Sequence, residues 1–96
     1  MEEVALQFVT YDEKQKEIAE RFVKIRKNRK ITQKRLSVIS GVSYASIRRF
    51  EESGEISFSS LIKLALALRL YEDLDNLFKE NYQYKSIEEI IRDQKD

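Results

Sequence analysis

Between Phe22 and Phe50 the chain places nine lysines and arginines (Lys24, Arg26, Lys27, Arg29, Lys30, Lys34, Arg35, Arg48 and Arg49) and no acid. The other residues carry nine bases and all seventeen acids, so a formal charge of +1 conceals a segregation. Guanidinium and ammonium groups gathered at this density do the chemistry of anion recognition, through charge-assisted hydrogen bonds and a long-range field. In a chain that is 36% charged, an acid-free run of this length reads as the electrostatic footprint of a surface that meets a polyanion.

Bond-making chemistry has few candidates. There is no histidine and no cysteine, which removes the usual general base, the usual zinc ligands and thiol nucleophiles. Carboxylates, hydroxyls and amines remain, and no paired-carboxylate motif organises them. The expectation is a protein that is not an enzyme and needs neither a metal nor a cofactor. The N-terminal MEEVALQFVTYDEK has acids where a secretory signal needs bases, and no window approaches the roughly 18 uninterrupted apolar residues of a membrane span. A soluble cytoplasmic protein with no membrane partner is expected.

The elements that must position these bases follow from caps and apolar spacing. Val4, Leu6 and Phe8 alternate as on one face of a short strand, Val4 to Val9. Thr10-Tyr11-Asp12-Glu13 has the form of a capping box, with the Glu reaching back to the backbone; it predicts a helix from about Tyr11 to Asn28 with Ile18, Phe22 and Ile25 inward. Thr32 caps a second helix, Gln33 to Ile39, with Leu36 and Ile39 buried, and Gly41 ends it. Ser43 caps a third, Tyr44 to about Glu52, with Ile47 and Phe50 inward, and Ser53-Gly54 stops it. A fourth starts at Ser57-Phe58-Ser59-Ser60 and continues through SLIKLALAL, whose apolar character nearly all round marks a core helix. A fifth, Tyr71 to about Asn81, buries Leu74, Leu77 and Phe78. Ser86-Ile87-Glu88-Glu89 precedes a short terminal helix with Ile87, Ile90 and Ile91 apolar.

Two short helices joined by a glycine-centred turn make a helix-turn-helix, whose second helix fits a major groove about 12 Å wide. The pattern T-Q-x-x-L-(x)4-G-V-S-x-x-x-I-x-x-x-E, met at Thr32, Gln33, Leu36, Gly41, Val42, Ser43, Ile47 and Glu51, resembles the Cro and lambda-repressor type, or XRE family, over about Ile25 to Phe78. The resemblance implies a mainly α fold, a five-helix lambda-repressor-like DNA-binding domain, here with a short N-terminal β-strand and a short C-terminal helix. It divides the chain into an arm (1–10), a DNA-binding domain (11–80, motif at about 32–52) and a tail (81–96).

Roles carry over by position. Leu36, Val42, Ile47 and Phe50 wedge the two motif helices together. Arg26 and Glu51 match the family's structural ion pair between the first helix and the end of the recognition helix. Gln33 matches a phosphate contact at the start of the first motif helix, with Lys34 and Arg35 as helpers; Ser43, Arg48, Ser57, Ser59 and Ser60 are further phosphate candidates. Base contacts fall to Tyr44, Ala45, Ser46 and Arg49, of which Arg49 has the fork that binds guanine O6 and N7 together. Tyr44 has a second reading, packing against the first motif helix. Ser37 stands where the family usually has Ala; a small hydroxyl can bond back to a carbonyl of its own helix, so the motif is expected to tolerate it.

Family members bind as two-fold dimers, so a homodimer on an operator of double-stranded DNA is implied, with the N-terminal strand or the fifth helix as dimer surface. The segments Arg48 to Glu52, Gly54 to Ser57 and Ser86 to Ile90 also resemble antitoxin-type regulators encoded beside HipA-like kinase toxins. That resemblance implies repression of its own operon and a HipA-like toxin partner. The alternative from a different class is a helix-turn-helix domain used for protein–protein contact.

Overall fold

Among residues 9–80 a hydroxyl side chain stands at the entrance of four of five helices, and each accepts a backbone N–H of the turn it opens. The computed structural model describes residues 9–80 together with Glu88, Ile91 and Arg92. Its helices are α1 (Tyr11–Asn28), α2 (Gln33–Ser40), α3 (Tyr44–Ser53), α4 (Phe58–Ala67) and α5 (Tyr71–Asn76). The caps are Thr10, Thr32, Ser43 and Ser57, at the expected positions. Apart from Val9, the expected strand lies outside the described residues; so does the terminal helix, except for the helical Glu88, Ile91 and Arg92. The fold is mainly α, and no strand occurs among the described residues. Nor is any of their helices long and apolar enough to cross a membrane.

Terminations are as local as the starts. Gly41 and Gly54 take left-handed φ values of +77° and +84°, and each N–H caps the preceding helix, on Ser37 O and Phe50 O respectively. Lys30 and Arg69 adopt the same conformation without being glycine. Paired bonds hold each: Lys30 N to Lys27 O and Ile31 N to Arg26 O, then Arg69 N to Leu66 O and Leu70 N to Ala65 O. This is the Schellman arrangement, and it stops α1 and α4 with the last carbonyls satisfied.

The core joins α1, α2, α3 and α4 around Ala19, Phe22, Leu36, Val42, Ile47, Phe50, Leu64 and Leu68. Phe22 meets Phe50 edge to face, with ring centroids 5.4 Å apart. The inward stripe of α1 is Ala19, Phe22 and Arg26, which puts Ile18, a residue and therefore about 100° away, on the exposed side. Ile39 is also exposed. Leu36 fills the seam that α2 shares with its neighbours, and Ile39 lies in the last turn before the chain leaves at Gly41. The fourth helix is two-faced rather than buried all round: Leu64 and Ala65 point inward, whereas Phe58 and Leu66 are exposed. The fifth stops at Asn76, short of Asn81. Leu77 is extended and Phe78 is left-handed at φ +60°, so both leave the helical period and stay exposed instead of buried.

Candidate nucleic-acid interface

Helix α3 buries Ile47 and Phe50, three residues apart, and thereby turns Tyr44, Ala45, Arg48 and Arg49 outward. The junction with α2 is fixed from several directions. Ser37 Oγ donates to Val42 O at 2.7 Å, across the turn rather than within its own helix, because Gly41 bends Val42 back over α2. Val42 N–H in turn donates to Ser40 Oγ at 3.1 Å. Two hydroxyls of α2 therefore hold the turn between the motif helices, one at the carbonyl and one at the N–H of Val42.

Beneath this surface lies a polar knot. Arg26 Nε and Nη2 donate to the two carboxylate oxygens of Glu51, at 2.7 and 2.9 Å, while Nη1 donates to Ile31 O at 2.8 Å. The two side chains retain only 9% and 6% of their exposure, so the pair is buried and bidentate. Gln33 Nε2 adds a third donor to Glu51, at 2.7 Å. Charge burial is thus matched by directional bonds, which link α1, the start of α2 and the end of α3. Gln33 consequently spends its amide inward. What it turns toward a ligand is the N-terminal end of α2, where Thr32 Oγ already accepts the Arg35 N–H at 3.0 Å.

The cations surround this frame. Lys34 Nζ and the Arg48 guanidinium lie 5.8 and 5.7 Å from the centre of the Tyr44 ring, so the tyrosine carries a charge from each motif helix. Arg35 and Ala45 are exposed beside them. Arg48 also approaches Glu52, at 3.8 Å. Ser46 is half-buried and receives the Ser43 hydroxyl at 2.8 Å; with Arg49, Glu55, Ile56, Ser57 and Ser60 it lines a notch between α3 and the start of α4. Ser57 Oγ caps α4 through Ser60 N–H at 3.1 Å, and the Ser57 and Ser59 hydroxyls are 3.4 Å apart. The serines thus sit at a helix entrance next to α3.

Sequence reasoning overlooked Glu55. Its Oε1 accepts from both Nε and Nη2 of Arg49, at 3.2 and 3.0 Å, on the same outward face. The signal was present in the expected glycine stop: a left-handed Gly54 sends the next residue back over the last turn of α3. Among the described residues, no group of three or more acids is placed to hold a metal ion.

This arrangement presents a helix N-terminus, four bases, an aromatic ring and several hydroxyls around one exposed helix face. Such a set can hold phosphates by its rim and insert the helix between them. Residues 23–74, more than half of the chain, match a family model described as helix-turn-helix. No curated protein matches the chain.

Proposed function

Since the chain belongs to the helix-turn-helix family of XRE type, we propose that it is a sequence-specific regulator that binds double-stranded DNA with α3 in the major groove. The outward face of α3 carries this reading: small Ala45 leaves room for close approach, and Tyr44, Arg48 and Arg49 border it. Arg49, with Tyr44, Ala45 and Ser46, is assigned to bases. Lys34, Arg35, Arg48, Ser43, Ser57 and Ser59, with the entrance of α2 at Gln33, are assigned to phosphates.

One recognition helix spans only a few base pairs, so a homodimer on a two-fold operator is part of the proposal. Exposed Leu66, Tyr71 and Leu77 on and after α4 and α5 support a dimer surface there. Repression by occlusion of a promoter is the simplest consequence of such binding. The resemblance of Arg48 to Glu52 and Gly54 to Ser57 to antitoxin-type regulators supports a HipA-like toxin as a second partner. The arm, DNA-binding domain and tail remain the proposed division of the chain.

Selection of bound duplexes from a random pool, at two salt concentrations, tests the reading. A palindrome with half-sites about one helical turn apart is expected. In the same assay Arg49→Ala should relax one position in each half-site, at a cost of about 1 to 3 kcal/mol in discrimination. Lys34→Ala should weaken all sequences alike and lower the salt slope by about one. Absence of any enriched sequence would reject the operator reading in favour of protein–protein contact.

A further inference from the structure

An acid on a surface built to meet phosphate requires its own explanation, and Glu55 is such an acid. Two backbone devices fix its position. Gly54 at φ +84° turns the chain, and Ser53 Oγ accepts the Glu55 N–H at 3.2 Å while donating to Arg49 O at 2.7 Å. The carboxylate is therefore delivered against the last turn of α3, where Oε1 accepts both Nε and Nη2 of Arg49.

Which edge of the guanidinium is occupied decides the consequence. A guanidinium has a side edge, Nε with Nη2, and an end edge, Nη1 with Nη2. Glu55 holds the side edge only. The end edge also presents two parallel N–H groups, enough to reach guanine O6 and N7 together, and it stays available while the side edge is held. Stability is a poor explanation for the pair, because the side chains keep 70% and 55% of their exposure and such pairs contribute little in water. A DNA surface closing over the pair would strip its water and strengthen it.

We propose that Glu55 is a positioning residue for base recognition: by holding the side edge of Arg49 it orients the end edge as a guanine reader and reduces the arginine's indiscriminate pull on phosphate. This rests on the DNA-binding reading above. It differs from a repulsive role, in which Glu55 would simply oppose DNA, and from a competitive one, in which Arg49 must break away before it can read.

The test uses the full chain in the random-duplex selection, followed by affinity measurements on the selected duplex and on the same duplex with its guanine replaced. Glu55→Ala and Glu55→Gln remove the same charge, but only Gln keeps an acceptor for Arg49. Both should bind unrelated duplexes more tightly than the wild type. Glu55→Ala should lose about tenfold of guanine discrimination at the position governed by Arg49, and Glu55→Gln should lose clearly less. On an Arg49→Ala background neither substitution should change base preference. Melting temperatures should stay at the wild-type value.

Undiminished or sharper guanine preference in Glu55→Ala would overturn the proposal, and so would equal losses in the two variants or a changed preference at another position. Wild-type protein that enriches no sequence would reject the DNA-binding reading itself. Failure of the positioning role alone leaves wild-type enrichment intact.

Discussion

Arg26→Leu is expected to lower the free energy of unfolding by about 3 to 5 kcal/mol, although it removes a charged side chain from a small protein. The loss arises at the partner. Glu51 would keep the Gln33 donor at 2.7 Å but lose the two bonds that match its charge, in a site where its side chain has 6% exposure. Ile31 O would lose the Arg26 Nη1 donor as well. Leucine is chosen because it keeps much of the packed volume, so the measured loss reports the stranded polar groups more than a cavity. The double replacement Arg26→Leu with Glu51→Leu should lose less than the sum of the single ones, because it strands no carboxylate. Urea unfolding of the four proteins measures the coupling. A loss under about 1 kcal/mol for Arg26→Leu, the range of exposed pairs, would show that the knot does not hold the fold.

Gly54→Ala is expected to cost about 3 kcal/mol, and Gly41→Ala only about 1 kcal/mol, although both glycines end helices with nearly the same φ. The left-handed conformation penalises any side chain at either position. Space separates them. A methyl group at Gly41 meets nothing within 4 Å, whereas at Gly54 it would lie 2.5 Å from Gln15 C and 2.7 Å from Gln15 O and Cβ. Those are mainly backbone atoms of α1 and cannot swing aside, so α1 must move off α3 and disturb the Phe22 and Phe50 contact. The difference should appear as a fall in Tm larger by roughly 8 to 16 °C for Gly54→Ala. Equal losses would mean that conformation alone sets the cost and that α1 is not held against Gly54.

Two kinds of information in the sequence fared differently against the fold. Helix starts at Thr10, Thr32, Ser43 and Ser57 and stops at Gly41 and Gly54 were legible, because a cap is a bond between residues a turn apart. Even there the detail changed. The Thr10 hydroxyl accepts Glu13 N–H at 3.4 Å and donates to the Glu13 carboxylate at 2.7 Å, so the acid meets the cap's hydroxyl instead of its backbone. The core residues of the motif, Leu36, Val42, Ile47 and Phe50, were also legible from spacing, and all four are buried.

What spacing misplaced was rotation and reach. Of the stripe Ile18, Phe22 and Ile25, Phe22 is buried and Ile25 packs partly buried against the core, but Ile18 is exposed, and its place facing α3 is taken by the small Ala19. Leu77 and Phe78 continue the apolar period of α5, but the helix ends before them. At the candidate site, the bases were legible as a charge pattern. The commitments of Gln33 to Glu51 and of Arg49 to Glu55 were not, since each depends on where a turn brings an acid from a later element.

Among the described residues, each helix packs on its neighbour or on the next but one: α1 on α3, α2 on α3 and α4, α4 on α5. Little chain entropy must be surrendered before such contacts repay it, because the loops they close are short. The same neighbourly packing is a kinetic property: helical domains of low contact order fold in microseconds to milliseconds. The chain has no proline, so no peptide-bond isomerisation lasting tens of seconds interrupts that process. Refolding of the described helices should therefore finish within milliseconds, with no slow phase of tens of seconds.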